Sequence, residues 1–345
     1  MRIGVIAPPW TPVPPPLYGG TELIVDLLCR GFQDAGHEVL LFTTGDSTCP
    51  VPRRWVLEQA DGFRMGMAAS EARHVLAGYA AITDAQVDIV HDHTIIGPLY
   101  AEAFPHLPVV GTAHGPFNSD LRDFYAYLAG RHALVCISHH QRSTAGEIPV
   151  ARVIHHGIDA SAFPVGAGEG GYALFLGRMA PDKGAHRAAI ACRQAGIPLK
   201  IVAKMREPIE RAYFDTEVAP LLSADITYLG EVHHDEKVRL LADAAALVNP
   251  IRWPEPFGLV MTESLACGTP VVTFAEGAAP EIVEHGRTGY VCADEIEMAE
   301  CIQRIGELDR AACRAAVEGH FSARRMVDDH VELFRSILAG DRPRC

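Results

Sequence analysis

The sequence predicts an α/β protein with two doubly wound, parallel-sheet domains. Short apolar runs of strand composition alternate with amphipathic helical patterns along the whole chain. A chain of 345 residues is long for one hydrophobic core and comfortable for two. The alternation starts again after a Gly- and Ala-rich segment at residues 160–171, which is typical of a linker. We therefore expect domains over residues 1–160 and 161–321, followed by a last helix within 322–345.

Composition excludes several classes of protein. With 48% hydrophobic and 21% charged residues, long disorder is not expected, and a formal charge of -13 argues against general nucleic-acid binding. The sequence contains no run of about 18 apolar residues, so we expect no membrane span. The nine cysteines are scattered without a C-x-x-C pair, which favours reduced thiols and a cytoplasmic location. The 17 histidines show no metal-binding spacing, so we expect no metal site.

The first predicted unit is a strand at residues 2–7, a loop and a helix. Prolines crowd residues 8–16, so we expect this loop to be exposed and stiff. Gly19 and Gly20 follow, and Thr21 is the expected helix N-cap. Two adjacent glycines allow the backbone to approach a ligand closely.

Polar residues follow the next predicted strands of the first half. The strands at 87–91, 108–112 and 133–137 end near His91, Asp92, His93, His114 and Ser138. Ligands of open parallel sheets bind beyond the carboxyl ends of the strands, so we expect a site there, with His114 as its first candidate. A structural role is the alternative for each histidine taken singly.

The second half opens with a strand at 172–176, a loop and a helix at 185–195. The loop carries Arg178 and Lys183 on either side of a proline turn. Both cations can converge on one pair of phosphates, Arg as a planar fork and Lys as a mobile point charge. The alternative is that both are ordinary surface charges.

The stretch from Ile251 to Glu263 holds one carboxylate, Glu255, in a proline-bracketed loop and a second, Glu263, in the helix that follows. Apolar strands flank it at 246–248 and 270–274. Carboxylates accept sugar and ribose hydroxyls, while helix N-termini hold phosphates. We therefore predict the donor site of an enzyme that handles a nucleotide sugar.

The run from Glu255 to Glu263, followed by A-x-G-x-P-V-V at residues 266–272, resembles the E-x(7)-E signature of retaining GT-B-fold glycosyltransferases of family 4, also described as glycosyl transferases group 1. The resemblance covers essentially the whole chain. Supporting motifs are Gly19-Gly20-x-Glu22, His91-Asp92-His93, His156-Gly-Ile-Asp159, Gly177-Arg178-x(4)-Lys183-Gly184, Pro280-Glu281 and Gly286-x-Thr-Gly289.

The resemblance implies two Rossmann-like domains that face a central cleft, with the C-terminal helix crossing back to the N-terminal domain. It implies that Arg178 and Lys183 hold the donor diphosphate, that Glu255 accepts a hydroxyl of the donor sugar, and that His114 lies beside that sugar. The implied donor-binding residues are Gly19, Gly20, Phe257, Gly258, Leu259, Glu263 (ribose), and Gly230 and Val232 (base). His91, Asp92 and His93 are the expected acceptor side.

The implied reaction is metal-independent, cofactor-free transfer from a UDP- or GDP-sugar by front-face displacement. The implied acceptor is a glycan, a lipid-linked or a small molecule; peripheral membrane contact stays open. Two alternatives remain at this point: a GT-B sugar-nucleotide epimerase or hydrolase, and a non-catalytic sugar-nucleotide-binding protein. Turnover without an acceptor distinguishes the first, and the full set of charged residues argues against the second.

Overall fold

The computed structural model describes residues 1–340. The chain divides into two compact units of similar size. The first unit comprises Met1–Gly157 and the last helix, and the second unit comprises Ile158–Ser322. The sequence predicts this boundary after residue 160.

The first unit contains a seven-stranded sheet in which every neighbouring pair is parallel. Its strand order is β3-β2-β1-β4-β5-β6-β7, so the order reverses between β1 and β4. The strands are β1 (Arg2–Ile6), β2 (Glu38–Thr43), β3 (Arg53–Trp55), β4 (Ile89–Asp92), β5 (Val109–Ala113), β6 (Ala133–Cys136) and β7 (Arg152–Val153).

The second unit contains a six-stranded parallel sheet in the order β10-β9-β8-β11-β12-β13, which reverses between β8 and β11. This is the order of a doubly wound sheet, in which ligands bind at the point of reversal. The α/β prediction is confirmed. The strands are β8 (Ala173–Arg178), β9 (Leu199–Lys204), β10 (Ile226–Gly230), β11 (Ala246–Asn249), β12 (Val271–Phe274) and β13 (Gly289–Cys292).

Helices connect the strands, and none in the described part of the chain is both long and apolar enough to cross a bilayer. They are α1 (Gly20–Asp34), α2 (Ala68–Asp84), α3 (Gly97–Tyr100), α4 (Ser119–Tyr127), α5 (His139–Thr144), α6 (Ala185–Ala195), α7 (Pro208–Tyr213), α8 (His234–Asp243), α9 (Leu259–Ala266), α10 (Ala279–Ile282), α11 (Glu295–Gln303), α12 (Arg310–His320) and α13 (Ala323–Leu338).

The C-terminal helix α13 belongs to the first unit. Its buried residues recur every three to four positions, which gives one apolar face. This face packs against α1, where the rings of Phe334 and Phe32 lie 5.5 Å apart.

Two local predictions in the first unit are wrong. The proline-rich loop is not simply exposed: Val13 is buried, because its carbonyl accepts hydrogen bonds from the amides of Thr48 and Cys49 at 2.8 and 2.9 Å. These long-range bonds draw the loop against the segment after β2. Helix α1 begins one residue before Thr21, with Gly19 at its N-cap, so Thr21 lies inside the first turn. Ser138, the polar residue after β6, caps α5: its hydroxyl oxygen accepts the amide of Gln141 at 3.0 Å.

Candidate functional site

The reversal point of the second sheet brings together the two segments that the sequence singles out. Strand β8 ends at Arg178, and its loop leads through Lys183 to α6; β11 ends at Asn249, and its loop leads through Glu255 to α9. Because β8 and β11 are neighbours, both loops emerge at the same edge of the sheet. The main chain also joins them, since the amide of Arg252 donates to the carbonyl of Asp182 at 2.9 Å.

A Lys–Glu ion pair lies at the centre of this edge. The ammonium of Lys183 donates to Oε2 of Glu255, and both side chains are largely buried, at 13% and 16% exposure. The same Oε2 accepts the indole N–H of Trp253 at 3.0 Å. The Lys183 Nζ lies 5.4 Å from the centre of the Trp253 ring, within the range of a cation–π interaction.

Arg178 supplies a second cation at the same edge. Its side chain is about one-third exposed, and its ion pair with the carboxylate of Asp182, four residues later, is long at 3.5 Å. A long, partly exposed pair of this kind contributes little to stability. The side chain can therefore turn to an anion at low cost.

A glycine on the neighbouring loop packs closely against the loop that carries Glu255. Gly277 has φ +58°, and a Cβ at this position would overlap the backbone nitrogen and oxygen of Glu255. The amide of Ala278 then donates to the Glu255 carbonyl at 2.9 Å. The position of Glu255 thus depends on a residue without a side chain on the neighbouring loop.

Helix α9 starts directly after this loop. Gly258, its N-cap, has φ +97°, a left-handed conformation that favours glycine. Phe257 is buried against Phe321, with ring centres 6.0 Å apart. The backbone turn at Gly258 and Leu259 therefore presents the first amides of α9, which are suited to hydroxyl or phosphate oxygens.

Glu263, one turn into α9, is nearly buried and pairs with a residue that the sequence did not indicate. Its Oε1 accepts from Nζ of Lys237 on α8 at 2.6 Å, with the Glu263 side chain 5% exposed. The two residues lie on different helices, so no local spacing predicts their contact. Lys237 is thus the counter-ion of the predicted ribose-binding carboxylate.

We expect Lys237→Met to lower the free energy of unfolding by about 2 kcal/mol, because it leaves the buried Glu263 carboxylate without its charged hydrogen-bond donor. Urea denaturation measures this. Arg239→Met is the matched control on the same helix: its ion pair with Glu236 is long, 3.9 Å, and exposed. The Glu263→Gln change in the Lys237→Met protein should restore part of the loss. Equal effects of the Lys237 and Arg239 changes would contradict the prediction.

The predicted base-binding segment lies at the carboxyl end of β10. The pairing of β10 with β9 shifts register between Tyr228 and Gly230, and Gly230 has φ +81°. Next to it, Glu231 forms an ion pair with Arg206 at 2.8 Å that links the ends of β9 and β10. Val232, partly buried, follows in the same turn.

In the first unit, Gly19 and Gly20 lie at the start of α1. Gly19 is extended, and a Cβ there would approach Cβ of Pro15 to 2.6 Å, so space rather than backbone conformation favours glycine. Glu22 follows, and burial raises its pKa to about 7. The Glu22 carboxyl group, in the first turn of α1, therefore gains or loses its proton close to neutral pH.

Asp92, at the end of β4, has a structural hydrogen-bond set. One oxygen accepts the Tyr79 hydroxyl at 2.8 Å, and the other accepts the amide and hydroxyl of Thr94 at 2.8 and 2.7 Å. Asp92 is fully buried, and burial raises its pKa to about 6.

The predicted histidines His91, His93 and His114 lie together, and the structure adds His156 and His330 to them. Successive ring centres are 4.1 Å (His91–His93), 5.1 Å (His93–His114), 5.3 Å (His114–His156) and 4.8 Å (His91–His330) apart. His93 Nδ1 and His114 Nε2 share a hydrogen bond of 2.8 Å. In the described chain, no three of these five bring ring nitrogens within 4.8 Å of one another, the convergence that a metal ion would need.

Burial keeps this histidine cluster neutral. Removal from water is the largest cause that lowers the pKa of each member, and for all of them except His330 neighbouring imidazoles lower it further. The pKa of His114 falls to about 3 and that of His330 to about 4. His114 can thus act in a site as a hydrogen-bonding group, without a charge at physiological pH.

We expect the stability of the first unit to fall below pH 6.5, and His330→Leu to weaken that dependence. The folded pKa of His330 is depressed, so the unfolded chain binds a proton between pH 6.5 and about 4 that the folded chain does not. Each such proton costs about 1.4 kcal/mol per pH unit. Other charged or titratable groups that act on His330 are Asp329, Arg325 and Arg152.

Urea denaturation of wild type and His330→Leu at pH 7.5, 6.0 and 5.0 measures the difference. The raised pKa values of Glu22 and Asp92 act in the opposite direction, but they are common to both proteins and cancel. His106→Gln, at an exposed position of the same unit, is the control. Parallel curves for wild type and His330→Leu would contradict the prediction.

Comparison with known proteins identifies the family. The model for Glycosyltransferase Family 4 matches residues 18–162, and the model for Glycosyl transferases group 1 matches residues 170–307. The chain belongs to the family 4 glycosyltransferases. It is 27% identical to the glycogen synthase of Mycobacterium tuberculosis, over 88% of this chain and 86% of the relative.

Solved structures confirm the predicted GT-B fold class. Sucrose-phosphate synthase from Thermosynechococcus elongatus superposes with a TM-score of 0.83 at 20% identity, covering 98% of this chain and 99% of that one. The Anabaena protein Alr3699/HepE in complex with UDP-glucose gives 0.76 at 18% identity, covering 97% and 100%. The chain is a glycosyltransferase of the GT-B class.

For this family 4 glycosyltransferase, the sequence motifs located the charged residues but not the groups that hold them. Lys237, Trp253 and Gly277 contact the predicted site residues directly, as described above. Lys237 and Gly277 do so from elements distant in sequence. Only Trp253 has a local signal, since it lies two residues before Glu255.

Proposed function

We propose that the chain is a retaining glycosyltransferase that moves a sugar from a nucleotide-diphosphate sugar to a hydroxyl acceptor without a divalent metal. The observation that carries the proposal is the grouping of Arg178, Lys183 and Glu255 at the reversal point of the second sheet. Two cations next to a carboxylate suit a ligand that has phosphates beside sugar hydroxyls.

Different groups at this edge of the sheet bind different parts of the donor. Arg178 and Lys183 bind the diphosphate, and Glu255 with the backbone at residues 257–259 binds sugar hydroxyls. Glu263, held by Lys237, accepts the ribose hydroxyls, while Gly230 and Val232 flank the base. Support for a nucleotide sugar comes from the Anabaena neighbour, which was solved with UDP-glucose. A UDP- or GDP-sugar is the proposed donor.

In the proposed reaction, charge develops on the diphosphate as the glycosidic bond breaks. Fixed cations stabilise such charge most when they are preorganised, and Lys183 is held within the site by Glu255 and Trp253. Together with Arg178 and the α9 amides, it provides positive charge that in other enzymes comes from a metal. Front-face displacement follows, with the leaving phosphate assisting deprotonation of the acceptor hydroxyl.

Glu255 acts in this proposal as a hydrogen-bond acceptor and not as a nucleophile. Its Oε2 already accepts the Trp253 indole N–H, which reduces the electron density available for attack on an anomeric carbon. The roles given to Gly19, Gly20, His114, His91, Asp92 and His93 by the family resemblance stay predictions. The acceptor is a glycan, lipid-linked or small-molecule hydroxyl.

Thermal shift with a panel of UDP-, GDP- and ADP-sugars tests donor binding, because a ligand of the native state raises the melting temperature. The donor that binds is then incubated with candidate acceptors, with and without EDTA. We expect unchanged rates in EDTA and a product that keeps the donor's anomeric configuration by NMR. An inverted product contradicts the retaining mechanism, and loss of activity in EDTA contradicts metal independence. Turnover of the donor with no acceptor would favour a hydrolase or epimerase.

A further inference from the structure

Glu255 accepts two hydrogen bonds on a single oxygen atom, and the two donors differ in what else they must do. One is the Lys183 ammonium, and the other is the Trp253 indole N–H at 3.0 Å. In the proposed function, which this inference deepens, Lys183 also has to meet the donor diphosphate. A phosphate-bound Lys183 gives less of its charge to Glu255.

A weakened ion pair would leave Glu255 poorly held. Its side chain is only 16% exposed, so water replaces the lost partner incompletely. The carboxylate would then be free to change rotamer at the moment when it has to accept a sugar hydroxyl.

Trp253 is the donor that remains. The indole N–H is a donor only, and the residue belongs to the same short loop as Glu255, where the Glu255 amide donates to the Trp253 carbonyl at 2.7 Å. A backbone and a side-chain hydrogen bond therefore link the two residues within one loop. The ring also lies beside the Lys183 ammonium, so that it can stabilise the cation independently of Glu255.

We propose that Trp253 is a positioning residue that keeps Glu255 oriented towards the donor sugar when Lys183 transfers its hydrogen bond from Glu255 to the diphosphate. The exchange breaks no covalent bond: one N–H···O contact is replaced by another. In the free protein, Lys183 and Glu255 neutralise each other's charge. When the donor is bound and Lys183 contacts the diphosphate, Trp253 keeps the Glu255 carboxylate in position.

The test compares a nucleotide sugar with its nucleoside diphosphate, because Trp253 acts through the group that binds the sugar. UDP-glucose and UDP are the probe pair, replaced by the matching pair if the donor panel selects another base. Trp253→Phe keeps a ring beside Lys183 and removes the N–H. We expect about 10- to 100-fold weaker binding of UDP-glucose, as for loss of a hydrogen bond to a charged group, with UDP binding unchanged.

Two further proteins sharpen the result. Trp55→Phe removes a similar indole-to-carboxylate hydrogen bond, Trp55 to Glu58 at 3.3 Å, in the first unit, and should behave as wild type. In a Glu255→Gln background, Trp253→Phe should have a smaller added effect, since the residue acts through the carboxylate.

The possible results distinguish the positioning role of Trp253 from the proposed function. Equal weakening of UDP-glucose and UDP by Trp253→Phe, or wild-type binding of both, overturns the positioning role while the proposed function stands. A wild-type protein that binds none of the nucleotide sugars or nucleoside diphosphates contradicts the proposed function and this inference with it.

Discussion

Lys183→Ala is expected to lower the turnover rate by about 10²- to 10³-fold, comparable to the loss of one preorganised transition-state donor. The Lys183 side chain is 13% exposed and lies at the edge where the diphosphate is proposed to bind, so little water can take its place. Initial rates with the donor selected by the panel measure the effect. The loss should fall mainly on kcat, because the charge on the leaving group is largest in the transition state.

Lys200→Ala is the matched control for this change. Lys200 lies in the same unit, near the amino end of β9, and its Nζ is 3.7 Å from the centre of the Tyr172 ring. It is therefore a partly buried lysine beside an aromatic ring, like Lys183, but at the amino-terminal part of its strand. We expect the wild-type rate for Lys200→Ala. A wild-type rate for Lys183→Ala would remove Lys183 from the mechanism.

Melting temperatures of both lysine variants show whether a loss of rate reflects a loss of fold. Lys183→Ala also removes the counter-ion of Glu255, so a modest decrease in melting temperature is expected. UDP binding to the folded variant then separates donor affinity from chemistry. A rate loss in a variant that is unfolded at the assay temperature would not count as support for a catalytic role.

The sequence predicted the class of fold and the edge at which the second unit's charged residues meet. Strand-like runs give the order of elements, and parallel strands bring their carboxyl ends to one edge. Arg178 and Glu255 are far apart in sequence, but Arg178 ends β8 and Glu255 lies in the loop after β11, and the doubly wound order makes these strands neighbours. Backbone topology is thus enough to bring together residues at strand ends and in the loops that follow them.

Contacts between side chains of different elements could not be predicted in this way. In the sequence, Lys237 is one of several charged residues on an amphipathic helix, and it is the packing of α8 beside α9 that brings it to Glu263. His330 lies on the buried face of α13, where its spacing indicates a core position and not contact with His91. Such contacts depend on helix rotation and rotamers, which single-sequence periodicity does not specify.

The proline-rich loop illustrates a further limit. Proline excludes helix and central strand, which is correct for residues 8–16, but it does not determine exposure. The burial of Val13 comes from Ser47, Thr48 and Cys49, a segment more than 30 residues later whose own sequence carries no pairing signal. Exposure here depends on a long-range partner.

Gly277→Ala is expected to lower the turnover rate by about 10²-fold, although the residue has no side chain and lies outside the E-x(7)-E motif. A Cβ at this position would overlap the backbone of Glu255, so the loop from Trp253 to Glu255 must shift. Displacement of a positioned group by about 1 Å typically costs this much. Initial rates and the affinity for the donor both measure the effect, and the two should worsen together.

The Gly286→Ala variant distinguishes the effect of steric overlap with Glu255 from the effect of backbone strain. Both glycines have positive φ, +58° at Gly277 and +76° at Gly286. An alanine at either position must adopt a left-handed conformation, which costs about 1 kcal/mol of stability. A Cβ at Gly286, however, meets nothing within 4 Å. We expect Gly286→Ala to lose some stability and keep its rate. If the two variants lose activity equally, strain and not the position of Glu255 determines the rate, and the supporting role of Gly277 is refuted.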